Sequence, residues 1–298
     1  MSKVKKGIIL AGGSGSRLYP LTTFLTKQLQ PVYDKPMIYY PLSTLIENGV
    51  AEICLISKPD QLPLFESILG DGSKFGVRIE YHPQPSPDGI AQSFLIAEDF
   101  IGKESVALIL GDNIFHSPAV FRDTFANFEG GAAIFAYRVQ DPQRYGVVEF
   151  DPSGNAVSLE EKPKQPKSNY VVPGIYLYDR NVARLTRELK PSARGELEIT
   201  DLNLAYLHAK TLRVSRLPRG FAWLDAGTSS SLHEASSFVQ TLEKRQGIKI
   251  GCPEEAAYRA GLIGKKKLCE LIHAMPACEY KDYLLKLERE IEAELDGA

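Results

Sequence analysis

The residues with the clearest chemical potential stand near the start of the chain, where residues 7–17 read GIILAGGSGSR. Gly12, Gly13 and Gly15 lack the Cβ atoms that would keep a backbone away from a ligand, so bare amides can face an anion. Arg17 and the later Lys27 add fixed positive charge beside those amides. This combination predicts a loop that holds a triphosphate and stabilises the charge that develops when a phosphoryl group is transferred.

Two common glycine-rich motifs do not fit this loop. A dinucleotide-binding fingerprint reads G-x-G-x-x-G, and counting from Gly13 its third glycine falls at Leu18. A P-loop needs Gly-Lys before Ser or Thr, and the chain has no such tripeptide. The loop is therefore either a phosphate site of another kind or a plain turn that links a strand to a helix.

Two aspartates follow apolar runs and precede turn residues. Asp112 stands in LGDN after the run 106–110, and Asp225 stands in AWLDAGT. Magnesium in phosphoryl chemistry is typically held by one or two carboxylates, with water and substrate phosphates completing its shell. The pair is a candidate Mg²⁺ site, although each could instead be a turn or helix-capping aspartate.

Further polar residues suit a sugar phosphate and a base. Glu161 can accept hydrogen bonds from hydroxyls while Lys162 meets a phosphate, although such a pair is more often a surface ion pair. In the proline- and glycine-rich loop 84–92, the amide of Gln84 offers a donor and an acceptor together. That combination matches the edge of a pyrimidine.

The first half of the chain alternates apolar runs with amphipathic segments. We predict strands at 7–10, 53–56, 77–81, 106–110, 132–139 and 146–150, and helices at 38–48 and 62–69. This alternation indicates an α/β fold, a Rossmann-like, mostly parallel mixed sheet flanked by helices. Ligands of such sheets lie at the carboxyl ends of the strands, where the glycine loop and Asp112 would meet.

The second half predicts a smaller mixed-sheet, sugar-binding lobe and C-terminal helices. Its strands are expected at 147–150, 157–160 and 170–178, followed by a helix at 198–209. Near the C-terminus, apolar residues recur at helical spacing at Leu284, Leu287, Ile291 and Leu295. We expect this apolar stripe to pack on the core or on another subunit. We expect one domain over 1–298, with a nucleotide-binding core at 1–140, the lobe and return to the core at 141–230, and a helical region at 231–298.

The bulk composition is that of an ordinary globular protein. The 298 residues are 44% apolar and 24% charged, and the formal net charge of -2 offers no long-range attraction for nucleic acid or an anionic membrane. No apolar stretch approaches the roughly 20 residues that a membrane-spanning helix needs. Four cysteines without a C-x-x-C pair and a charged start without a signal peptide favour a cytoplasmic location.

Several longer segments carry a family resemblance. They read LAGGSGSRL (10–18), KQ (27–28), PVYDKPMIYYPLS (31–43), QPSPDGIAQ (84–92), GDN (111–113), RYGVVEF (144–150), EEKP (160–163), RGELEITD (194–201) and RGFAWLDAGT (219–228). Together they resemble the glucose-1-phosphate thymidylyltransferases, or dTDP-glucose pyrophosphorylases, of the sugar-nucleotide transferase superfamily. The chain departs from the family pattern at Gln30, where an apolar residue is usual, and at Pro173, where threonine is usual.

The resemblance implies that glucose 1-phosphate attacks the α-phosphorus of dTTP directly, giving dTDP-glucose and pyrophosphate, the first step of dTDP-deoxysugar synthesis such as that of dTDP-rhamnose. It implies catalytic roles for Arg17, Lys27 and Lys162, and Mg²⁺ at Asp112 and Asp225. The implied nucleotide contacts are Leu10, Gly12, Gly13, Gly15, Gln28, Gln84, Pro87 and Gly89. The implied sugar contacts are Asn113, Tyr145, Gly146, Glu161 and Val172. A homotetramer, a dimer of dimers, is expected in the same way.

The resemblance also implies a second, regulatory nucleotide site, matched here by Arg219, Gly251, Glu255 and Arg259. Glu255 and Arg259 are four residues apart and would share one helical face, so an ordinary ion pair is the alternative. Three other functions remain to be weighed: a UTP-preferring uridylyltransferase, an inactive nucleotide-sugar-binding regulator, and a nicotinamide oxidoreductase. The last is already disfavoured by the glycine spacing.

Overall fold

A large sheet forms the centre of the protein, whose computed structural model describes residues 2–13 and 15–296, with side chains through residue 293. The strands are β1 (Lys6–Leu10), β2 (Pro31–Val32), β3 (Lys35–Pro36), β4 (Glu52–Ser57), β5 (Arg78–Pro83), β6 (Val106–Leu110), β7 (Asn113–His116), β8 (Ala132–Arg138), β9 (Gly146–Phe150), β10 (Ala156–Glu161), β11 (Tyr170–Val171), β12 (Ile175–Tyr178), β13 (Leu212–Arg216) and β14 (Ala222–Asp225).

Helices cover both faces of this sheet. They are α1 (Tyr39–Glu47), α2 (Leu62–Leu69), α3 (Gln92–Ile96), α4 (Glu98–Ile101), α5 (Arg122–Ala126), α6 (Val182–Glu188), α7 (Ile199–His208), α8 (Ser229–Gln246), α9 (Pro253–Arg259), α10 (Lys265–Ala274) and α11 (Glu279–Asp296). Short 3-10 helices carry Arg17 (Ser16–Leu18) and Lys27 (Lys27–Leu29). None of the helices described is long and apolar enough to cross a membrane.

The strand order confirms the predicted mixed parallel and antiparallel sheet flanked by helices. β6, β1, β4 and β5 are neighbours and run parallel, with Gly7 opposite both Ile53 and Ala107. β12 lies antiparallel between β6 and β8, and β13 continues parallel on the far side of β8. Since helices cover both faces, the central strands read as unbroken apolar runs.

The predicted sugar lobe is an arm of this same sheet. The β9–β10 hairpin joins β11, and β11 pairs with the carboxyl end of β8. The single strand expected over 170–178 was wrong, because the chain forms β11 and β12 with a break between them. Pro173 in that break has no N–H for a ladder, and the Gly174 N–H donates to Asn113 Oδ1 at 3.0 Å instead.

Two antiparallel pairs were not expected from the sequence. β2 pairs with β3 in a short hairpin, and β7 pairs with β14 at the carboxyl edge of the main sheet. The second pair sets Asn113 opposite Asp225. It therefore joins the two halves of the chain where ligands of α/β sheets bind.

The C-terminal helices pack on the core, as their apolar stripe predicts. Leu284, Leu287 and Ile291 are buried in the same cluster as Leu268 and Ile272 of α10. The side chain of Leu295 lies outside the described residues. On the opposite face, α7 is fastened to the sheet by a buried hydrogen bond from the Tyr178 hydroxyl to Asn203 Oδ1 at 2.6 Å.

Replacing Tyr178 with phenylalanine tests this fastening. The variant keeps the ring but leaves Asn203 Oδ1 without that donor, so we expect a loss of about 1–3 kcal/mol in the free energy of unfolding, measured in urea. Tyr19→Phe is the control, because Tyr19 is 75% exposed and its loss of a hydroxyl should change stability by less than about 0.5 kcal/mol. Equal stabilities of the two variants would contradict the assigned role.

Candidate active site

Two aspartates meet at the carboxyl edge of the sheet. Asp112 follows β6, and Asp225 ends β14 opposite Asn113. The Ala226 N–H donates to the carbonyl of Asp112 at 3.2 Å, which holds the two segments side by side. The candidate pair from the sequence is thus brought together by the pairing of β7 with β14.

The Asp112 carboxylate is held between a cation and an amide. Burial acts to raise the pKa of Asp112, but the ammonium of Lys27, in an ion pair with Oδ2, and hydrogen bonds to the carboxylate together lower that pKa. Asn113 Nδ2 also donates to Asp112 Oδ1 at 2.8 Å. Asp112 is therefore poised to remain a carboxylate.

Asp225 has the opposite balance. Burial raises its pKa, against a hydrogen bond from the Tyr145 hydroxyl at 3.1 Å and the charge of Arg144, whose Nη2 lies 3.7 Å from Oδ2. The charge of Asp112 raises that pKa further, and the charge of Arg17 lowers it. The two carboxylates thus repel each other across the site.

A hard divalent cation fits this donor set. Carboxylate oxygens are the ligands that Mg²⁺ prefers, and a cation between Asp112 and Asp225 would offset both the burial and the neighbouring negative charge that raise the pKa of Asp225. Over the described part of the chain, no group of three or more His, Cys, Asp or Glu side chains forms a metal site. A metal here would need substrate or water oxygens as well.

Glu161 and Lys162 form the opposite wall. Glu161 Oε2 accepts a hydrogen bond from the Thr200 hydroxyl at 2.5 Å, and Lys162 Nζ lies 2.9 Å from Glu161 Oε1. The backbone of Lys162 has a φ of 43°, which is unusual for a residue with a side chain, and its N–H donates to the carbonyl of Tyr145 at 3.0 Å. The backbone thus turns sharply at Lys162.

One cavity of about 190 Å³ joins these walls. Its lining includes these residues singled out from the sequence: Arg17, Asp112, Asn113, Tyr145, Gly146, Glu161, Lys162, Val172 and Asp225. It also includes Tyr176, Thr200 and Asn203, which the sequence analysis missed. Thr200 and Asn203 are three residues apart on α7, so the spacing alone could have placed them on one face.

Asn113 organises the floor of this cavity. Its Oδ1 accepts hydrogen bonds from the Gly174 N–H at 3.0 Å and from the Trp223 indole N–H at 2.6 Å. The Trp223 ring in turn packs edge-on to Tyr145, with centroids 5.1 Å apart. The Asn113 amide thus connects the backbone just before β12 to the Trp223 side chain of β14.

The predicted nucleotide residues lie beside the cavity rather than in it. A Cβ on Gly12 would stand 1.9 Å from Gln84 Oε1, and a Cβ on Gly111 would stand 2.9 Å from Gln28 Cγ. The Gly111 N–H donates to the carbonyl of Leu10 at 2.9 Å. Leu10, Gly12, Gln28 and Gln84 therefore surround the carboxyl ends of β1 and β6.

The other residues predicted to contact the nucleotide have different surroundings from one another. Gly13 faces open space, whereas Gly15 has a φ of 64° and packs near Thr22. Gly89, with a φ of 108°, lies so close to Leu197 that a Cβ would stand 2.4 Å from its carbonyl oxygen. Pro87 is exposed in the same loop. These positions are compatible with a ligand above the loop.

A second cavity of about 330 Å³ lies at α1 and α9. Gly251, Glu255 and Arg259 line it together, and Arg259 Nε lies 2.7 Å from Glu255 Oε1 on α9, as the four-residue spacing predicts. Arg219 is not among its lining residues.

Two polar residues that line this second cavity, Ser43 and Glu47, are in unusual surroundings. The buried Ser43 hydroxyl there has no hydrogen-bond partner. Burial and then Glu255 raise the pKa of Glu47 to about 7, against the charges of Arg122 and Arg259. An unpaired hydroxyl and a mixed set of charges around a cavity are the features of a polar ligand site.

Comparison with known proteins places the chain in a family. The nucleotidyl transferase family model matches residues 6–241. The glucose-1-phosphate thymidylyltransferase of Neisseria meningitidis serogroup A is 54% identical over 285 residues, covering 95% of this chain and 99% of that protein. The enzyme of the same name from Mycolicibacterium smegmatis is 55% identical over 284 residues, covering 95% and 98%.

Solved structures agree with these relatives. A Bacillus anthracis structure assigned as a glucose-1-phosphate thymidylyltransferase superposes with a TM-score of 0.73 at 44% identity, covering 78% of this chain and 94% of that one. A UDP-glucose pyrophosphorylase with bound UDP-glucose shares the fold, with a TM-score of 0.69 at 23% identity over 80% of this chain and 99% of that one. The chain belongs to the nucleotidyl transferase family and, within it, to the glucose-1-phosphate thymidylyltransferases.

Proposed function

We propose that this protein transfers the thymidylyl group of dTTP to glucose 1-phosphate, giving dTDP-glucose and pyrophosphate at the start of a dTDP-deoxysugar route such as that to dTDP-rhamnose. The observation that carries the proposal is one cavity lined by Arg17, Lys162, Asp112 and Asp225, in a chain more than half identical to proteins of that name. Two cations and two carboxylates around one small space suit phosphoryl chemistry rather than hydride transfer. A binding protein without catalysis would not need the full set.

The reaction is a direct displacement at the α-phosphorus of dTTP. A phosphate oxygen of glucose 1-phosphate forms the new bond to that phosphorus, and the bond to the bridging oxygen breaks as pyrophosphate leaves with its electron pair. Lys162 orients the attacking phosphate, while Arg17 and Lys27 stabilise the departing charge. Lys27 pairs with Asp112, which holds its ammonium at the cleft.

We assign the other contacts from their positions. Asp112 and Asp225 would hold Mg²⁺, which when bound supplies positive charge to the phosphates. Glu161, Tyr145, Gly146, Asn113 and Val172 line the sugar end of the cavity. The nucleotide end is assigned to Leu10, Gly12, Gly13, Gly15, Gln28, Gln84, Pro87 and Gly89. We also propose a homotetramer, which follows from the family resemblance. We propose a cytoplasmic location, because the four cysteines form no disulfide.

Pyrophosphate release from purified protein tests the proposal. With glucose 1-phosphate and Mg²⁺, we expect turnover with dTTP, weaker turnover with UTP, and none with ATP or GTP. The thymine methyl and the 2′-deoxyribose should both contribute to the preference over UTP, which should be modest, because one methyl group in a pocket changes selectivity by only about 10–200-fold. Preference for UTP would establish the uridylyltransferase alternative. Absence of turnover with every nucleotide would favour the inactive regulator.

Asp112→Asn and Asp225→Asn test the paired carboxylates. Each should lower kcat at least about a hundredfold, because an amide can coordinate a cation but brings no charge to balance it. The double variant should lose little more than either single one, measured by pyrophosphate release across a Mg²⁺ titration. Asp99→Asn, at an exposed carboxylate on α4, is the control that should retain turnover. Losses that multiply in the double variant would indicate two separate roles.

We propose the second cavity as a regulatory site for a late sugar nucleotide of the pathway. The support is the meeting of Gly251, Glu255 and Arg259 at a cavity away from Asp112 and Asp225. Binding there affects turnover only if the ligand prefers one of two states of the protein. Arg219 does not line this cavity within the chain, so its assigned role would need another subunit.

Arg259→Ala tests this assignment. Inhibition by dTDP-rhamnose should be noncompetitive with dTTP in the parent and weaker in the variant, because one cation of the cavity is removed. Arg184→Ala is the matched control, since Arg184 Nη1 forms the same kind of helical pair with Glu188 at 2.6 Å on α6. Competitive inhibition that Arg259→Ala leaves unchanged would place the inhibitor in the active cleft.

A further inference from the structure

The segment between Arg17 and Lys27 determines the positions of these two side chains, which are the proposed catalytic cations. Residues 19–24 form successive turns and are largely exposed, with Phe24 at 90%. Arg17 and Lys27, at the two ends of this segment, would have to reach the same pyrophosphate. The shape of the segment therefore sets the geometry of that contact.

One buried side chain ties this segment to the core. The Gln30 amide is almost fully buried, and its Nε2 donates to the carbonyl oxygens of Leu21 at 2.7 Å and Leu25 at 3.2 Å. Both amide protons are thus used. The backbone carbonyl oxygen of Gln30 accepts a hydrogen bond from the Met37 N–H at 3.0 Å, so the backbone of Gln30 is held in place as well.

The connection from Gln30 to Arg17 is short. The Leu21 N–H donates to the carbonyl of Leu18 at 2.8 Å, and Leu18 directly follows Arg17. Lys27 has support of its own, because its ammonium pairs with Asp112 and its neighbour Thr26 donates to Gln61 Oε1 at 3.0 Å. Loss of the Gln30 amide should therefore disturb the Arg17 end of the segment more than the Lys27 end.

We propose that Gln30 is a positioning residue for Arg17, which holds the 19–24 turns so that the guanidinium faces the Asp225 side of the cleft. Arg17 Nη2 lies 3.2 Å from the position that a Cβ on Gly227 would take, two residues beyond Asp225. The kinetic consequence rests on the proposed function, and the structural consequence does not. Since Arg17 acts most strongly as charge moves onto pyrophosphate, its displacement lowers kcat more than it raises KM for dTTP.

Gln30→Met tests the proposal, because methionine has a similar length and no donor. We expect kcat to fall by about 10–100-fold, with KM for glucose 1-phosphate unchanged. Gln30→Glu should behave alike, since an ionised carboxylate cannot donate to the two carbonyls. Added to Arg17→Ala, Gln30→Met should cause no further loss, because its effect passes through the missing guanidinium. Losses that multiply in the double variant would overturn the proposal.

Asn48→Leu is the matched control. Asn48 is also a buried amide whose Nδ2 donates to two backbone carbonyls, those of Thr44 at 2.8 Å and Pro118 at 3.3 Å. It should lose stability comparably to Gln30→Met in thermal unfolding but keep the parent kcat. A similar fall in kcat in Asn48→Leu would mean that lost stability alone explains the Gln30 variants, and would overturn the proposal.

Chymotrypsin supplies a readout that does not depend on turnover. Phe24 is exposed, and we expect cleavage after it to be faster in Gln30→Met than in the parent or in Asn48→Leu. Equal cleavage rates would overturn the proposal. If the parent releases no pyrophosphate with any nucleotide, the proposed function fails, while the cleavage comparison still decides whether Gln30 holds the segment.

Discussion

The pairing of β7 with β14 is the contact on which the active cleft depends. It brings Asp225 to the same edge of the sheet as Asp112, where burial and then the charge of Asp112 raise the pKa of Asp225. The strand pairing imposes this cost, and nearby groups offset it: Lys27 pairs with Asp112, and the Tyr145 hydroxyl donates to Asp225. The same repulsion makes the pair receptive to added positive charge, which is what a phosphate-transfer site requires.

The central sheet could be predicted because its strands are buried on both faces. Each of β1, β4 and β6 contains an uninterrupted apolar run, and charged or polar residues stand only at the ends of β1 and β4, so their positions follow from hydrophobicity. β13 alternates apolar and polar residues, and β14 has only three apolar residues before Asp225. Both strands are partly exposed, and they form because distant segments supply their hydrogen bonds. By contrast, the break in the strand predicted over 170–178 could have been predicted from the sequence, because Pro173 has no N–H for a ladder hydrogen bond.

The site residues divide in the same way. Residues at strand ends and in glycine loops stood out because polar groups there have no packing role to explain them. Thr200 and Asn203 lie within a helix whose buried face also carries Ile199 and Leu202, so their sequence setting is that of core residues. Gln30 is similar, because its two acceptors are carbonyls of a turn whose path the sequence does not specify. A side chain whose role is to position another residue is therefore difficult to recognise from the sequence pattern.

The arm formed by β9, β10 and β11 has a mechanical consequence. Because β11 bonds to β8, the wall that carries Glu161 and the wall that carries Asp112 belong to one continuous network of backbone hydrogen bonds. The end of the cleft that we assign to the sugar is thus built on one continuous sheet rather than on two separate bodies. A hexose phosphate bound there, as we propose, would meet backbone that the sheet already holds in place, so little backbone entropy would be lost on binding.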